Sequence, residues 1–201
     1  MTHLLAGALF SRAVGAIEAA NRGRPFGPFW DELQPNAVAT IFATVAGLEA
    51  YANELFVDHE KVFPELRSDV MAKMWELYEQ KPTLEKLDLA LYLLRLPPLD
   101  QSSSPYQDVS VLIRLRNALT HFKPEWSDQQ VEHAKLSRNL AHKAVLSPFL
   151  PKSESLFPRG WMSHGTTSWA VRSAVGLITV MEQRGVQSGR IAQFAERLNA
   201  V

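Results

Sequence analysis

The chain has 201 residues, 46% apolar and 21% charged, and its 21 Lys and Arg against 21 Asp and Glu give a formal net charge of zero. That length supports one substantial core, and the composition is that of an ordinary globular protein rather than a disordered chain or a protein that coats nucleic acid by charge alone. With no cysteine, disulfides, thiolate zinc sites and cysteine nucleophiles are excluded together, which fits a reducing, cytoplasmic setting.

In chain order the apolar periodicity predicts an all-α protein, with no convincing strand. Residues 2–21 read as a small-residue-rich amphipathic helix, ended by Gly23 and Pro25. Its run from Leu4 to Phe10 has no basic residue before it and is interrupted soon after by Arg12, so no signal peptide is expected. Nowhere does the chain approach the ~20 apolar residues of a membrane span. Asn36, after Pro35, is expected to cap a long helix to about His59, with Ile41, Val45, Leu48, Ala52 and Leu55 as its core face. Glu49 and Asn53 share a stripe of that helix with Phe42, Ala46 and Phe56, so a carboxylate points toward an apolar face.

Further helices are expected over residues 64–80 and 83–96, followed by a loop with Pro97, Pro98 and Pro105. Residues 109–123 then read as a helix with Leu112, Leu115, Leu119 and Phe122 at three- and four-residue spacing, stopped by Pro124. Ser127 is expected to begin another helix to about Val145. An irregular loop with three prolines covers residues 147–165, and two final helices close the chain. No period of 20 to 50 residues repeats, and a single domain over 1–201 is expected.

The helix before Pro124 carries the chemistry. Its end reads Arg116-Asn117-Ala118-Leu119-Thr120-His121. At about 100° per residue, Arg116 falls inside the extended apolar arc, while Ser110, Arg114, Asn117 and His121 make the opposite polar face. Asn117 lies one turn below His121, within reach of orienting its ring. His121 should sit in the last turn, where orphan carbonyls and the helix dipole favour a protonated imidazole. Arg116 and His121 are five residues apart, roughly 140° around an ideal helix. They converge only if the last turn distorts, the arginine wraps round, or a second copy completes the site. Glu49 is the obvious partner for Arg116: such a pair either specifies packing alone or holds the guanidinium for a phosphate, whose bidentate recognition suits Arg better than Lys.

From Val111 to Lys143 the basic residues Arg114, Arg116, Lys123, Lys135, Arg138 and Lys143 outnumber Glu125, Asp128 and Glu132. The bland reading is a solvated helix surface; the functional one is a local basic region around the motif. Arg138-Asn139-Leu140-Ala141-His142 imitates the motif with one residue fewer and reads as exposed surface inside a helix, still able to meet a phosphate backbone. His3, His59, His133 and His164 lack metal-ligand spacing and read as surface or locally bonded residues, so no metal is expected. Phosphate-cradling glycine loops and nucleophile elbows are also missing from the sequence. The five tryptophans are expected in the core or at an interface.

The Arg, four intervening residues, His pattern, with Asn directly after the Arg, resembles the signature of the HEPN superfamily. Residues 47–56, Gly47-Leu48-Glu49-Ala50-Tyr51-Ala52-Asn53-Glu54-Leu55-Phe56, look like the first core helix of such domains, and residues 167–178 look like their closing helix. Together these cover about residues 35–185, with additional helices at both termini. The resemblance implies a metal-independent, cofactor-free endoribonuclease acting as a homodimer. In it the RNA 2′-hydroxyl attacks the adjacent phosphate, leaving 2′,3′-cyclic phosphate and 5′-hydroxyl ends. It implies His121 for proton transfer, Arg116 for the scissile phosphate and Asn117 to orient either. Glu49 and Thr120 would support them, and Arg114, Lys123 and Arg138 would hold the RNA backbone. It also implies a toxin or defence setting, beside a regulatory protein partner. In one toxin branch a tyrosine stands two residues after the His and is modified by such a partner; Lys123 occupies that place here. A non-catalytic member, binding RNA, a nucleotide or another protein, is the alternative.

Overall fold

A computed structural model describes residues 1–126, 131–187 and 189–199. Among these residues the regular structure is entirely helical, as the periodicity predicts. The elements are α1 (Thr2–Ala20), α2 (Trp30–Val57), α3 (His59–Val62), α4 (Ser68–Tyr78), α5 (Thr83–Leu93), α6 (Ser104–Thr120), α7 (Val131–Leu140), α8 (His164–Gln183) and α9 (Arg190–Asn199), with one wide turn at Leu156–Gly160 before α8.

The most extensive pairing is between α1 and α2, and α8 packs against both. Small residues permit it. A Cβ at Gly47 would stand 2.6 Å from Leu4 Cγ, and one at Gly7 would stand 2.6 Å from Thr44 Oγ1, so the two glycines let the antiparallel backbones approach. The N-terminal helix is thus a full member of the bundle. α6 lies against α8 and α2, while α5 borders α2.

Two apolar clusters fill the interior. One gathers Leu48, Tyr51 and Leu55 of α2 with Leu87 and Leu91 of α5, Val109 of α6 and Leu177 and Ile178 of α8. The other gathers Ile41 and Val45 of α2 with Leu112 and Leu115 of α6, Leu136 of α7, Phe157 and Trp161. Both α2 and α6 run through both clusters, which fixes the two helices that carry Glu49 and Arg116.

Several boundaries differ from the expected ones. α2 starts at Trp30, so Asn36 is no cap: its Nδ2 donates to Glu32 O at 2.8 Å from within the helix. Asp31 and Glu32 favour the positive end of the dipole there. Pro35 is tolerated because it is exposed, so the Asp31 carbonyl that loses its partner faces water. α6 starts at Ser104 with Pro105 in its first turn, where proline's missing N–H costs nothing. It stops at Thr120, leaving His121 just beyond. The expected helix start at Ser127 lies outside the described residues. α7 ends at Leu140, where the Lys143 and Ala144 N–H groups both donate to the Leu140 carbonyl, so His142 is in a turn and not inside a helix. In the proline-rich loop, Ser163 caps α8 by accepting from Thr166 N at 3.2 Å. No described helix is long and apolar enough to cross a membrane.

Candidate functional site

The inner face of α6 is pinned by Val109, Leu112 and Leu115, all at 0% exposure, so its remaining faces have fixed directions. One directs Arg116 toward α2. Its guanidinium forms an ion pair with Glu49, with side-chain exposures of 25% and 38%, while Arg116 Nε is buried with no hydrogen-bond partner among the described residues. The pair forms the wall of a cleft of about 560 Å³, also lined by Asn117, Arg114, Asn53 and Lys86.

Lys86, on α5, is the functional candidate that the motif reading missed. It is 7% exposed. Its Nζ donates to Asn53 Oδ1 at 2.7 Å and stands 5.2 Å from the centroid of the Trp75 ring. Burial pulls its pKa below the ordinary lysine value, and the Glu49 and Glu79 carboxylates oppose that shift. A signal for it existed: Lys86 falls on the helical stripe of Thr83, Leu87 and Ala90, all buried, where a lysine demands a polar partner.

The end of α6 opens elsewhere. His121 is the residue after the helix, at φ −112° and ψ 44°, and its N–H donates to Asn117 O at 2.9 Å. Its exposed ring lines a second cleft of about 580 Å³ whose walls include Arg114, Lys123, Lys135 and Asn139, with Ala118, Leu136 and Phe157 supplying apolar surface. His133 borders this cleft, buried against Phe157 at 4.9 Å between ring centroids, and its Nε2 donates to Lys123 O at 3.0 Å. Glu125 accepts the N–H groups of Glu132 and His133, both at 3.1 Å, and so caps α7.

The structure therefore brings Arg116, Asn117 and Glu49 to one cleft and places His121 and Lys123 on the other, with Arg114 lining both. The side chain of Asn117 makes no hydrogen bond to His121 among the described residues, because it faces the Arg116 cleft; the link between them is through the backbone. Thr120 Oγ1 donates to Arg116 O at 2.9 Å, so this hydroxyl is engaged with the preceding turn. Arg138 is exposed on α7 and lines neither cleft.

Of the local basic residues, Arg116 is held by Glu49, Lys143 by Asp108 and Lys135 by Glu132. Arg114, Lys123 and Arg138 form no ion pair among the described residues. Among the other candidates, His164 is half-buried at the start of α8 and its Nδ1 donates to Ser11 O of α1 at 3.1 Å, a tertiary contact and not a local one. Trp30 and Trp161 are in the core, whereas Trp126 is 82% exposed. Among the described residues, no three His, Asp or Glu gather as a metal-ligand set. A scan against family models found no match, and searches of curated proteins and of solved structures found none either.

Proposed function

We propose that this chain is a HEPN-type endoribonuclease that cleaves RNA without a metal and works as a two-fold homodimer. The observation that carries the reading is the Arg116 guanidinium, fixed by Glu49 with its Nε unmatched, in the wall of a polar cleft shared with Asn117 and Lys86. A held guanidinium beside open volume suits a phosphodiester and the negative charge that grows on it during transfer.

In the reaction the RNA 2′-oxygen bonds to phosphorus and the bond from phosphorus to the 5′-oxygen breaks. The 2′-hydroxyl loses its proton and the leaving 5′-oxygen gains one. His121 serves this transfer, since an imidazole exchanges protons near neutral pH. Arg116 and Asn117 hold the phosphate, and Arg114, Lys123 and Arg138 bear on the flanking backbone. A two-fold axis near the end of α6 would set His121 of one copy against Arg116 of the other, so that the separate clefts of one chain combine across the dimer. The setting proposed from the family resemblance is a cytoplasmic toxin or defence system with a regulatory protein partner.

A second reading has its own observation. Arg116 and His121 open into different clefts of one chain, which favours a non-catalytic module that binds RNA or a nucleotide. Incubation of the protein, and of folded Arg116→Ala and His121→Ala variants, with mixed RNA in excess EDTA separates the two. Cyclic-phosphate ends from the wild type alone are the expected result. RNA binding without cleavage would establish the binding module instead.

A further inference from the structure

A lysine at 7% exposure ordinarily sits against a carboxylate, because a buried ammonium without a counter-charge is costly. Lys86 does not. Among the described residues no carboxylate oxygen lies within 4.0 Å of its Nζ, and its single hydrogen bond is to the neutral Asn53 amide oxygen. Two of its three donors are left for something else. The Trp75 face and Asn53 fix where the ammonium sits, so it is held in place rather than swinging in solvent.

The same cleft is lined by Arg116, whose guanidinium pairs with Glu49 and whose Nε is buried behind it without a hydrogen-bond partner among the described residues. Its charged lining residues are Lys81, Lys86, Arg114 and Arg116 against Glu49 and Glu79. Four positive and two negative side chains leave two formal positive charges. A single phosphodiester carries one negative charge and would answer only half of that.

We propose that the cleft is a two-phosphate site, in which Arg116 takes the scissile phosphodiester and Lys86 takes the adjacent phosphodiester of the same RNA strand. This rests on the ribonuclease reading for the identity of the strand, though not on turnover. Lys86 is a substrate-binding residue here, with Asn53 and Trp75 positioning it.

The test uses 2′-O-methyl RNA oligonucleotides, which cannot be cleaved by 2′-hydroxyl attack: a dinucleotide with one phosphodiester and a trinucleotide with two, neither with a terminal phosphate. For wild type, the second phosphate should tighten binding about tenfold, the scale of one charge-assisted contact. Lys86→Met should abolish that gain, so that the variant binds the dinucleotide and the trinucleotide with equal affinity. Lys86→Gln, which keeps a donor for Asn53 but no charge, should behave as Lys86→Met does and serves if the latter fails to fold. Equal loss for both ligands, no loss for either, or no gain from the second phosphate in wild type would overturn the proposal.

Cleavage of unmodified RNA, measured separately, keeps the two ideas apart. Cleavage by wild type with an unchanged length dependence in Lys86→Met overturns the two-phosphate site alone. The expected length dependence without cleavage supports the site and overturns the enzyme. No binding of either oligonucleotide together with no cleavage of unmodified RNA by wild type overturns both, and no binding with cleavage overturns the two-phosphate site alone.

Discussion

Arg116 of α6 and Glu49 of α2 are joined by an ion pair that is neither fully buried nor fully wet, at 25% and 38% side-chain exposure. Removing one partner of such a pair costs less than breaking a buried pair and more than breaking a solvated one, about 1–2 kcal/mol. Arg116→Ala should therefore leave a folded protein with a modestly lower Tm and no RNA cleavage. Glu49→Gln keeps an acceptor but not the charge, so it should fold equally well and cleave about tenfold more slowly. A thermal melt beside a single-turnover cleavage assay checks both. An Arg116→Ala variant that failed to fold would reduce the pair to a packing device.

Glu18 gives the fold a dependence on pH at a distance from either cleft. Its Oε1 accepts the His164 N–H at 2.7 Å at the start of α8. Burial raises its pKa above the ordinary 4.5, and the His164 backbone hydrogen bond only partly offsets this. The folded state then holds the proton to higher pH than the unfolded state. Stability linked to this group is full below about pH 4.5 and falls as pH rises through the folded value. Glu18→Gln keeps the acceptor and cannot ionise. The Tm of wild type relative to Glu18→Gln should decline from pH 4 upward, and parallel curves would show that Glu18 titrates normally.

The Arg116 to Glu49 contact was legible in the sequence because each of two amphipathic helices carried one charge on an apolar stripe, and two such charges need each other. The all-α fold was legible from the same periodicity. The direction of His121 was not, since it depends on the φ and ψ of a single residue after the last helical turn. Lys86 was missed because its importance comes from where Asn53 of α2 and Trp75 of α4 receive it, and not from any local motif. The start of α2 was misplaced because Pro35 reads as a helix boundary unless its solvent exposure is known.

Two basic residues of the region from Val111 to Lys143 should behave in opposite ways. Lys143 forms an ion pair with Asp108, at 20% and 19% side-chain exposure, whereas Arg114 is exposed and has no such partner among the described residues. Asp108→Asn should lower stability by about 1–3 kcal/mol and leave RNA affinity unchanged. Arg114→Ala should cost under about 0.5 kcal/mol of stability. It should also reduce the slope of log affinity against log salt by about 0.7, the amount for one phosphate of a single strand. Chemical denaturation and a salt titration of RNA binding measure the two. A salt slope altered by Asp108→Asn instead would mean that Lys143 leaves its partner to bind RNA.

Because Arg116 and His121 line different clefts of one chain, the proposed enzyme makes a demand that mixed variants test directly. Arg116→Ala and His121→Ala homodimers should each be inactive. In a mixed dimer with composite sites, one site combines both lesions and is dead, while the other draws its His121 from the first variant and its Arg116 from the second and is intact. Random exchange of equal amounts makes about half of the dimers mixed, each with one working site of two, so about a quarter of wild-type activity should return. Sites contained within single chains would return none, because every chain in the mixture carries one lesion. The same mixture analysed by size-exclusion chromatography shows whether a dimer forms. Recovery would require both the dimer and the pairing of His121 with Arg116 across it, and a folded dimer without recovery would leave the separated clefts to a binding role.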